Sequence, residues 1–178
     1  MTRYFAVSNI SDLSSLELHK LYKLRVDVFV HEQKTPYAEI EDVDAANTTH
    51  HILAWQRRTD GISALDGCAR LIPTTVSEVA ATTGATLELD DAPLSQLGRL
   101  AVTRDSRGTG LSEEIMQNSL RLAYEQFPEQ DVILTAQEPL KKFYEGFGFT
   151  VCGSLFDDAG VPHLPMLLKA ADLVKFAN

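Results

Sequence analysis

The most constraining stretch of the 178 residues is Gln96 to Ala136. Gln96-Leu97-Gly98-Arg99-Leu100-Ala101-Val102 reads as a strand, Leu111 to Phe127 carries apolar residues at helical spacing, and Asp131 to Ala136 is a further strand with an apolar centre. A strand, helix, strand unit of this length requires parallel pairing of its two strands and a right-handed crossover. Ile115, Met116, Leu120 and Leu122 are the helix residues expected to face inward.

The rest of the chain supplies the partners of that unit. Tyr4 to Ser8 reads as a first strand, and a helix follows from Ser11, with Ser14 and Glu17 at capping-box spacing and Leu21, Leu24 and Val28 on one face. That helix is expected to reach Phe29 or beyond. His31 to Asn47 has no period, contains Pro36 and reads as a long functional loop or broken helix. His51 to Trp55 and Gly67 to Ile72 form a predicted antiparallel hairpin with Asp60-Gly61 as turn chemistry. Pro73 to Ser95 holds a short helix at Ser77 to Ala81 and is expected to be variable and mobile. A short helix over Leu140 to Glu145, a strand at Phe149 to Cys152 and a last strand at His163 to Leu168 complete a mixed α/β order. One domain over residues 1–178 is expected, a central mixed sheet with helices on both faces.

Charge and composition remove several functions. Sixteen Lys and Arg against 25 Asp and Glu give a net charge of -9, which repels nucleic acid and anionic lipid. No window approaches the apolar length of a membrane span, so no membrane partner is expected. The start of the chain lacks a basic region followed by an apolar run, which makes the cytoplasm the expected compartment. Cys68 and Cys152 lie far apart in apolar or small-residue runs, away from any His, and read as buried, reduced and inert. No metal site is expected. Arg25 and Arg70 lie inside apolar elements and need acidic partners, for which Glu32 and Asp27 are available. Trp55 and Phe29 read as core.

Between strand and helix, Arg107-Gly108-Thr109-Gly110 places two glycines where backbone N–H groups turn toward one point at a helix start. That geometry suits a phosphate, and Arg107, Arg104 and Arg99 make the neighbourhood positive in an acidic chain. Gly-x-Gly alone also marks ordinary helix starts. The segment lacks a third glycine at Glu113 and a Gly-Lys-Ser/Thr ending, so neither a dinucleotide fingerprint nor a Walker loop is present.

Val102 to Ser112 resembles the acetyl-CoA signature of the GCN5-related N-acetyltransferases (GNAT): Arg or Gln, two residues, Gly, one residue, then Gly or Ala. Arg107, Gly110 and Ser112 fill those places, Ser112 being a departure, and Gly108 matches a common extra glycine. A second block, Gln137-x-x-Leu140-x-x-Phe143-Tyr144-x-x-Phe147-Gly148-Phe149, is similar to the closing pattern of the family. There Gln137 and Leu140 replace the usual Asn and Ala, as in the ElaA-like branch. Leu24 to Gln33, Leu97 to Val102 and Gly160 to His163 also resemble ElaA-type segments, so only Pro73 to Ser95 lacks a match.

The resemblance implies a GNAT fold, with a mostly antiparallel sheet of six or seven strands (~6–7) and a splayed parallel pair. It implies acetyl-CoA as cosubstrate, held by Leu100, Ala101, Val102, Arg107, Gly108, Thr109, Gly110, Leu111, Ser112, Gln137 and Tyr144. Backbone groups at a bulge in Leu100 to Val102 would meet the pantetheine and the thioester oxygen. Tyr144 matches the tyrosine that protonates the departing thiolate. The acceptor is a small-molecule or peptide amine. For its proton, Glu32, Glu39, His50, His51 and His163 are all chemically able bases, Glu32 and His163 being the ones carried forward. A homodimer is a family expectation. Two readings compete: a non-catalytic acyl-CoA sensor, and an acyltransferase using longer acyl chains or an acyl carrier protein, although an acidic surface repels such a carrier.

Overall fold

The computed structural model describes residues 2–59 and 63–178, and the expected Asp60-Gly61 turn lies outside the described residues. The chain divides into two units, one running to Leu71 and resuming over Arg99–Ser119, the other made of Ile72–Gly98 and Leu120–Asn178.

In the first unit β1 (Thr2–Ser8), β2 (His50–Arg57) and β3 (Ser63–Thr75) pair antiparallel, with Tyr4 opposite Trp55 and Leu53 opposite Cys68. Between the pairs Ala54↔Gly67 and Trp55↔Leu65, Asp66 is the extra residue of a bulge. Its carbonyl accepts from Thr103 N–H at 2.8 Å, which ties β3 to the end of β4 (Pro93–Val102). Helix α1 (Ser15–Arg25) starts on the capping box read from the sequence: Ser14 Oγ accepts from Glu17 N–H, and the Glu17 carboxylate accepts from Ser14 N–H at 2.9 Å. A 3₁₀ turn over Ile10–Asp12, and not the α-helix itself, covers the expected start at Ser11. The helix does pass Phe29, as π-helical turns over Val26–Glu32 rich in β-branched residues that fit an α-helix poorly.

Leu21, Leu24, Val28 and Phe29 bury themselves against Leu53, Trp55, Leu65, Cys68 and Ala101, confirming Trp55 and Phe29 as core. Helix α3 (Leu111–Gln126) covers the opposite face of β3. A Cβ on Gly67 would lie 2.5 Å from Ile115 Cδ1, and Gly67 and Cys68 point to opposite faces because they are consecutive on a strand. Glycine at 67 is therefore what lets α3 approach. Ile115, Met116, Leu120 and Leu122 are all buried, as their spacing predicts.

In the second unit the strand order is β4, β5 (Asp131–Gln137), β8 (Val161–Leu168), β6 (Thr150–Val151), with β7 (Phe156–Asp158) also on β8. Helix α2 (Val76–Thr83) takes the place of the short helix expected at Ser77, capped by Thr75 and ended by Gly84 at φ +73°. Val76 and Val79 pack on Leu94, Ile133, Cys152 and Leu167. The short helix expected over Leu140–Glu145 is a 3₁₀ turn, Glu138–Leu140, followed by α4 (Lys141–Glu145). Strand β7 and the closing 3₁₀ segment Ala170–Phe176 have no counterpart in the sequence reading.

The described residues contain eight strands; β1 with β2, β2 with β3, β5 with β8, β6 with β8 and β7 with β8 pair antiparallel, and β4 with β5 pairs parallel. That parallel register covers Leu94↔Asp131, Ser95↔Val132 and Gln96↔Ile133 only, although β5 continues to Gln137. The parallel pairing named by the crossover unit is thus found at the starts of the two strands.

Candidate active site

The glycine loop read as a phosphate cradle follows the end of β4. Arg104–Ser106 forms one 3₁₀ turn, Arg107 is extended, and Gly108 and Gly110 take φ +71° and +81° before α3 begins at Leu111. A Cβ at either glycine would meet nothing within 4 Å, so conformation and not space calls for glycine here. The bond from Glu114 N–H to Gly110 O, 3.1 Å, opens the helical ladder. The N–H groups ahead of it are the orphan donors of a helix start, at its positive end. Thr109 Oγ1 donates to Ser106 O at 2.7 Å and accepts from Arg3 Nη2 at 3.2 Å, while Arg3 Nη1 holds Glu114 at 2.6 Å. The loop is braced, with Leu111 buried beneath it.

Arg107 and Glu32 come together here. The guanidinium donates to both carboxylate oxygens, at 2.5 and 3.1 Å, and to the Val102 carbonyl at 3.3 and 3.2 Å. The hydrogen bond from Arg107 holds the Glu32 carboxyl below its ordinary range. Glu32 is therefore a salt-bridged anion beside the glycine loop, and a weaker base than a free glutamate.

Arg25 and Arg70 are buried, as expected, but their partners are not Glu32 or Asp27. Asp27 pairs with Lys23 on the outside of the helix, one turn away. Arg25 instead meets Glu39 at 2.7 Å and Asp44 at 2.7 Å, and Arg70 meets Asp44 at 2.8 Å and Glu41 at 2.9 Å. The acidic segment read as a long functional loop or broken helix folds back to neutralise Arg25 and Arg70. Burial alone would raise the Asp44 carboxyl, but bonds from Arg25, the Glu41 N–H and Arg70 hold it at about 2. Burial pushes Glu39 up, against the nearby Arg99 and Arg25. His51 joins the cluster through Nε2 to the Asp44 carbonyl at 3.0 Å, and burial lowers its pKa, as it does for the half-buried His50.

Arg99, read from the sequence as part of the positive neighbourhood of the glycine loop, is engaged instead by the acidic segment. It sits inside β4 at φ +53°, a left-handed conformation costly for a side chain with a Cβ, one position before Leu100-Ala101-Val102. Its Nη2 donates to Glu41 at 2.9 Å, its Nε stands 3.3 Å from Glu39, and its guanidinium lies 5.5 Å from the Tyr37 ring centroid. The irregularity expected in Leu100–Val102 is thus centred one residue earlier. The sequence signal for the strained backbone is Gly98-Arg99, a glycine beside a charge inside a strand.

In the second unit Tyr144 is buried on α4, edge-on to Phe143 at 5.1 Å and to Phe149 at 6.2 Å. Burial pushes its phenol up to about 12, so it is protonated at neutral pH and carries a proton to give. Gly148, between Phe147 and Phe149, takes φ +96°, which explains the glycine of the Phe-Gly-Phe block. Gln137 and His163 are cross-strand partners on β5 and β8. His163 Nδ1 lies 2.8 Å from the Val161 carbonyl and its ring tilts over Phe156. Both cysteines are free and buried, with thiols pushed by burial to about 12 for Cys68 and about 11 for Cys152, so neither is a nucleophile at neutral pH. Among the described residues no group of three or more His, Cys, Asp or Glu could hold a metal ion, and no helix is long and apolar enough to cross a membrane.

A strand followed by a glycine loop that feeds a helix is an arrangement suited to holding the phosphates of a nucleotide-bearing donor. Residues 17–170 match the acetyltransferase (GNAT) domain, and the chain belongs to that family of acyltransferases. It is 30% identical to protein ElaA of Escherichia coli over 156 residues, 88% of this chain and 90% of that protein. Its structure is similar to that of an acyl-CoA N-acyltransferase from Pseudomonas aeruginosa, with a TM-score of 0.76 at 29% identity over 93% of this chain and 99% of the other. A coenzyme A-dependent acyl-homoserine lactone synthase, BjaI, shares the fold at a TM-score of 0.77 and 19% identity, covering 98% of this chain and 88% of its own.

Proposed function

We propose that this GNAT-family acyltransferase is an acetyl-CoA-dependent N-acetyltransferase acting on a primary amine of a small molecule or peptide in the cytoplasm. The observation that carries the reading is the loop Arg107 to Ser112, two left-handed glycines at the open N-terminus of α3. Pyrophosphate binds there, and Leu100, Ala101, Val102 and Gln137 bind the pantetheine arm and orient the acetyl group. The amine nitrogen attacks the acetyl carbonyl carbon, an amide C–N bond forms and the C–S bond breaks. Tyr144 protonates the departing thiolate, and the proton of the attacking amine passes to a base, His163 or Glu32, or to water. Direct transfer suits two cysteines that are protonated at neutral pH.

Release of free CoA thiol from acetyl-CoA, measured against polyamines, aminoglycosides, amino acids and peptide N-termini, tests this. Turnover with at least one amine is expected, and Tyr144→Phe should lower kcat by on the order of 100-fold while leaving acetyl-CoA affinity within a few fold. Tight CoA binding without acetylation of any amine would replace the enzyme with a sensor. Preference for long acyl chains would keep the transferase and change the donor.

A further inference from the structure

Within the buried cluster of the first unit, Glu39 uses its two oxygens unequally. Oε1 accepts from Arg25 Nε at 2.7 Å, and the Glu39 carbonyl accepts from Arg25 Nη2. Oε2 is buried and has no hydrogen-bond partner. Arg99 Nε stands 3.3 Å from it without the geometry of a hydrogen bond, and that Nε is likewise buried and unbonded. The Glu39 side chain is 3% exposed, a depth at which an unused acceptor is uncommon because nothing compensates its lost hydration. Asp44, in the same cluster, has both oxygens occupied, by Arg25, Arg70 and the Glu41 N–H. Glu32, at the glycine loop, has both on Arg107.

The free oxygen is also placed where a base is needed. Arg99, against which it lies, belongs to β4 and immediately precedes Leu100, Ala101 and Val102, the proposed seat of the acyl arm. The charged and titratable groups around the carboxylate are Arg25 of α1, Cys68 and Arg70 of β3 and Arg99 of β4, with Glu41 and Asp44 bound to the same arginines. Burial favours the protonated acid and outweighs the pull of Arg99, Arg25 and Arg70 toward the anion, so the Glu39 carboxyl is raised from its ordinary value, as suits a group that takes up a proton. We propose that Glu39 is the base of the transfer, Oε2 taking the N–H proton of the amine as the amide C–N bond forms and the C–S bond breaks. The sulfur keeps the electron pair of that bond and is protonated separately, as given above. Oε1 stays on Arg25 throughout, so the cluster need not open. This rests on the acyl transfer to an amine described under the proposed function, and it names a base other than Glu32 and His163.

The pH dependence of kcat/KM tests it, read from release of CoA thiol with the amine of the panel above that turns over fastest, in the full chain and in Glu39→Gln and Glu39→Asp. At about pH 7 Glu39→Gln should be slower by on the order of 100-fold, with CoA affinity within a few fold of wild type. On the acidic side the wild-type rate should fall with one proton more than that of Glu39→Gln, because only the wild type needs an ionised Glu39. Glu39→Asp, which keeps the anion, should keep that extra proton at an intermediate rate. A slower Glu39→Gln with the wild-type pH slope would place Glu39 in the scaffold and overturn the inference, as would Glu39→Gln turnover within a few fold of wild type, and either result leaves acetyl transfer standing. Should the variants not fold, the wild-type profile decides, since an acidic limb with no ionisation beyond that of the amine overturns the inference. No turnover of any amine by wild-type protein would overturn both readings.

Discussion

Two sets of arginine–carboxylate contacts in the first unit use the same chemistry for opposite ends. Around Asp44 the charges are dry: the Asp44, Arg25 and Glu39 side chains are 0%, 1% and 3% exposed. At the donor loop Glu32 and Arg107 are 29% and 41% exposed, open to solvent and ions. A buried charge deprived of its partner has nowhere to go, so the first set cannot open without cost to the fold. An exposed guanidinium can exchange a carboxylate for a phosphate with water as intermediary, so the second set is suited to handing Arg107 from Glu32 to a ligand. The difference separates charges that hold the site from charges that serve it.

The largest test of that separation removes Asp44. It accepts from Arg25 at 2.7 and 3.1 Å, from Arg70 at 2.8 Å and from the Glu41 N–H at 2.9 Å, so its loss strands two guanidiniums. Asp44→Ala should cost about 3–5 kcal/mol in urea unfolding. The same cluster sets an acid limit. Because the folded pKa of Asp44 is about 2, below its ordinary value, its contribution is complete above about pH 4 and lost as pH falls toward 2. Wild-type stability should therefore fall by about 2 kcal/mol more over that window than the stability of Asp44→Asn. Parallel curves for the two proteins would show that the cluster is not held as an ion pair.

Arg99 joins the first set through Glu39 and Glu41, its side chain 20% exposed and its backbone left-handed. Arg99→Ala loses the contacts to Glu39 and Glu41 and keeps the strained φ, whereas Arg99→Gly loses the contacts alone. The glycine variant should be the more stable of the two by about 1 kcal/mol, read from thermal unfolding. Equal stabilities would mean that the backbone relaxes once the side chain is gone, and that the ion pairs were imposing the turn before Leu100.

The crossover unit, the capping box at Ser14 and the inward face of α3 were legible because each is a local pattern with one physical solution. The conformations of the glycine loop before α3 and of the Phe-Gly-Phe block were legible for the same reason, since Gly108, Gly110 and Gly148 occupy left-handed positions that favour glycine. What escaped was long-range. That Arg25 would pair with Glu39 and Asp44, and not with Glu32 or Asp27, depends on a loop of irregular sequence returning over β3, which no period records. Strand β7 is three residues long and holds on through β8, a pairing that short-range propensity does not encode.

The smallest expected effect is the most informative about the donor. Glu32→Gln keeps the shape of the side chain and removes the charge that now occupies Arg107. Because Glu32 is solvent-facing, its Tm should be unchanged. Acetyl-CoA should bind more tightly, by about 3–10-fold at low salt, because a phosphate no longer competes with a carboxylate and no longer faces its repulsion. The gain should shrink as ionic strength rises, since exposed charges are screened. Weaker binding in Glu32→Gln would reverse the assignment: Glu32 would then be a tether that aims Arg107 at the donor, and both ion-pair sets would belong to the scaffold.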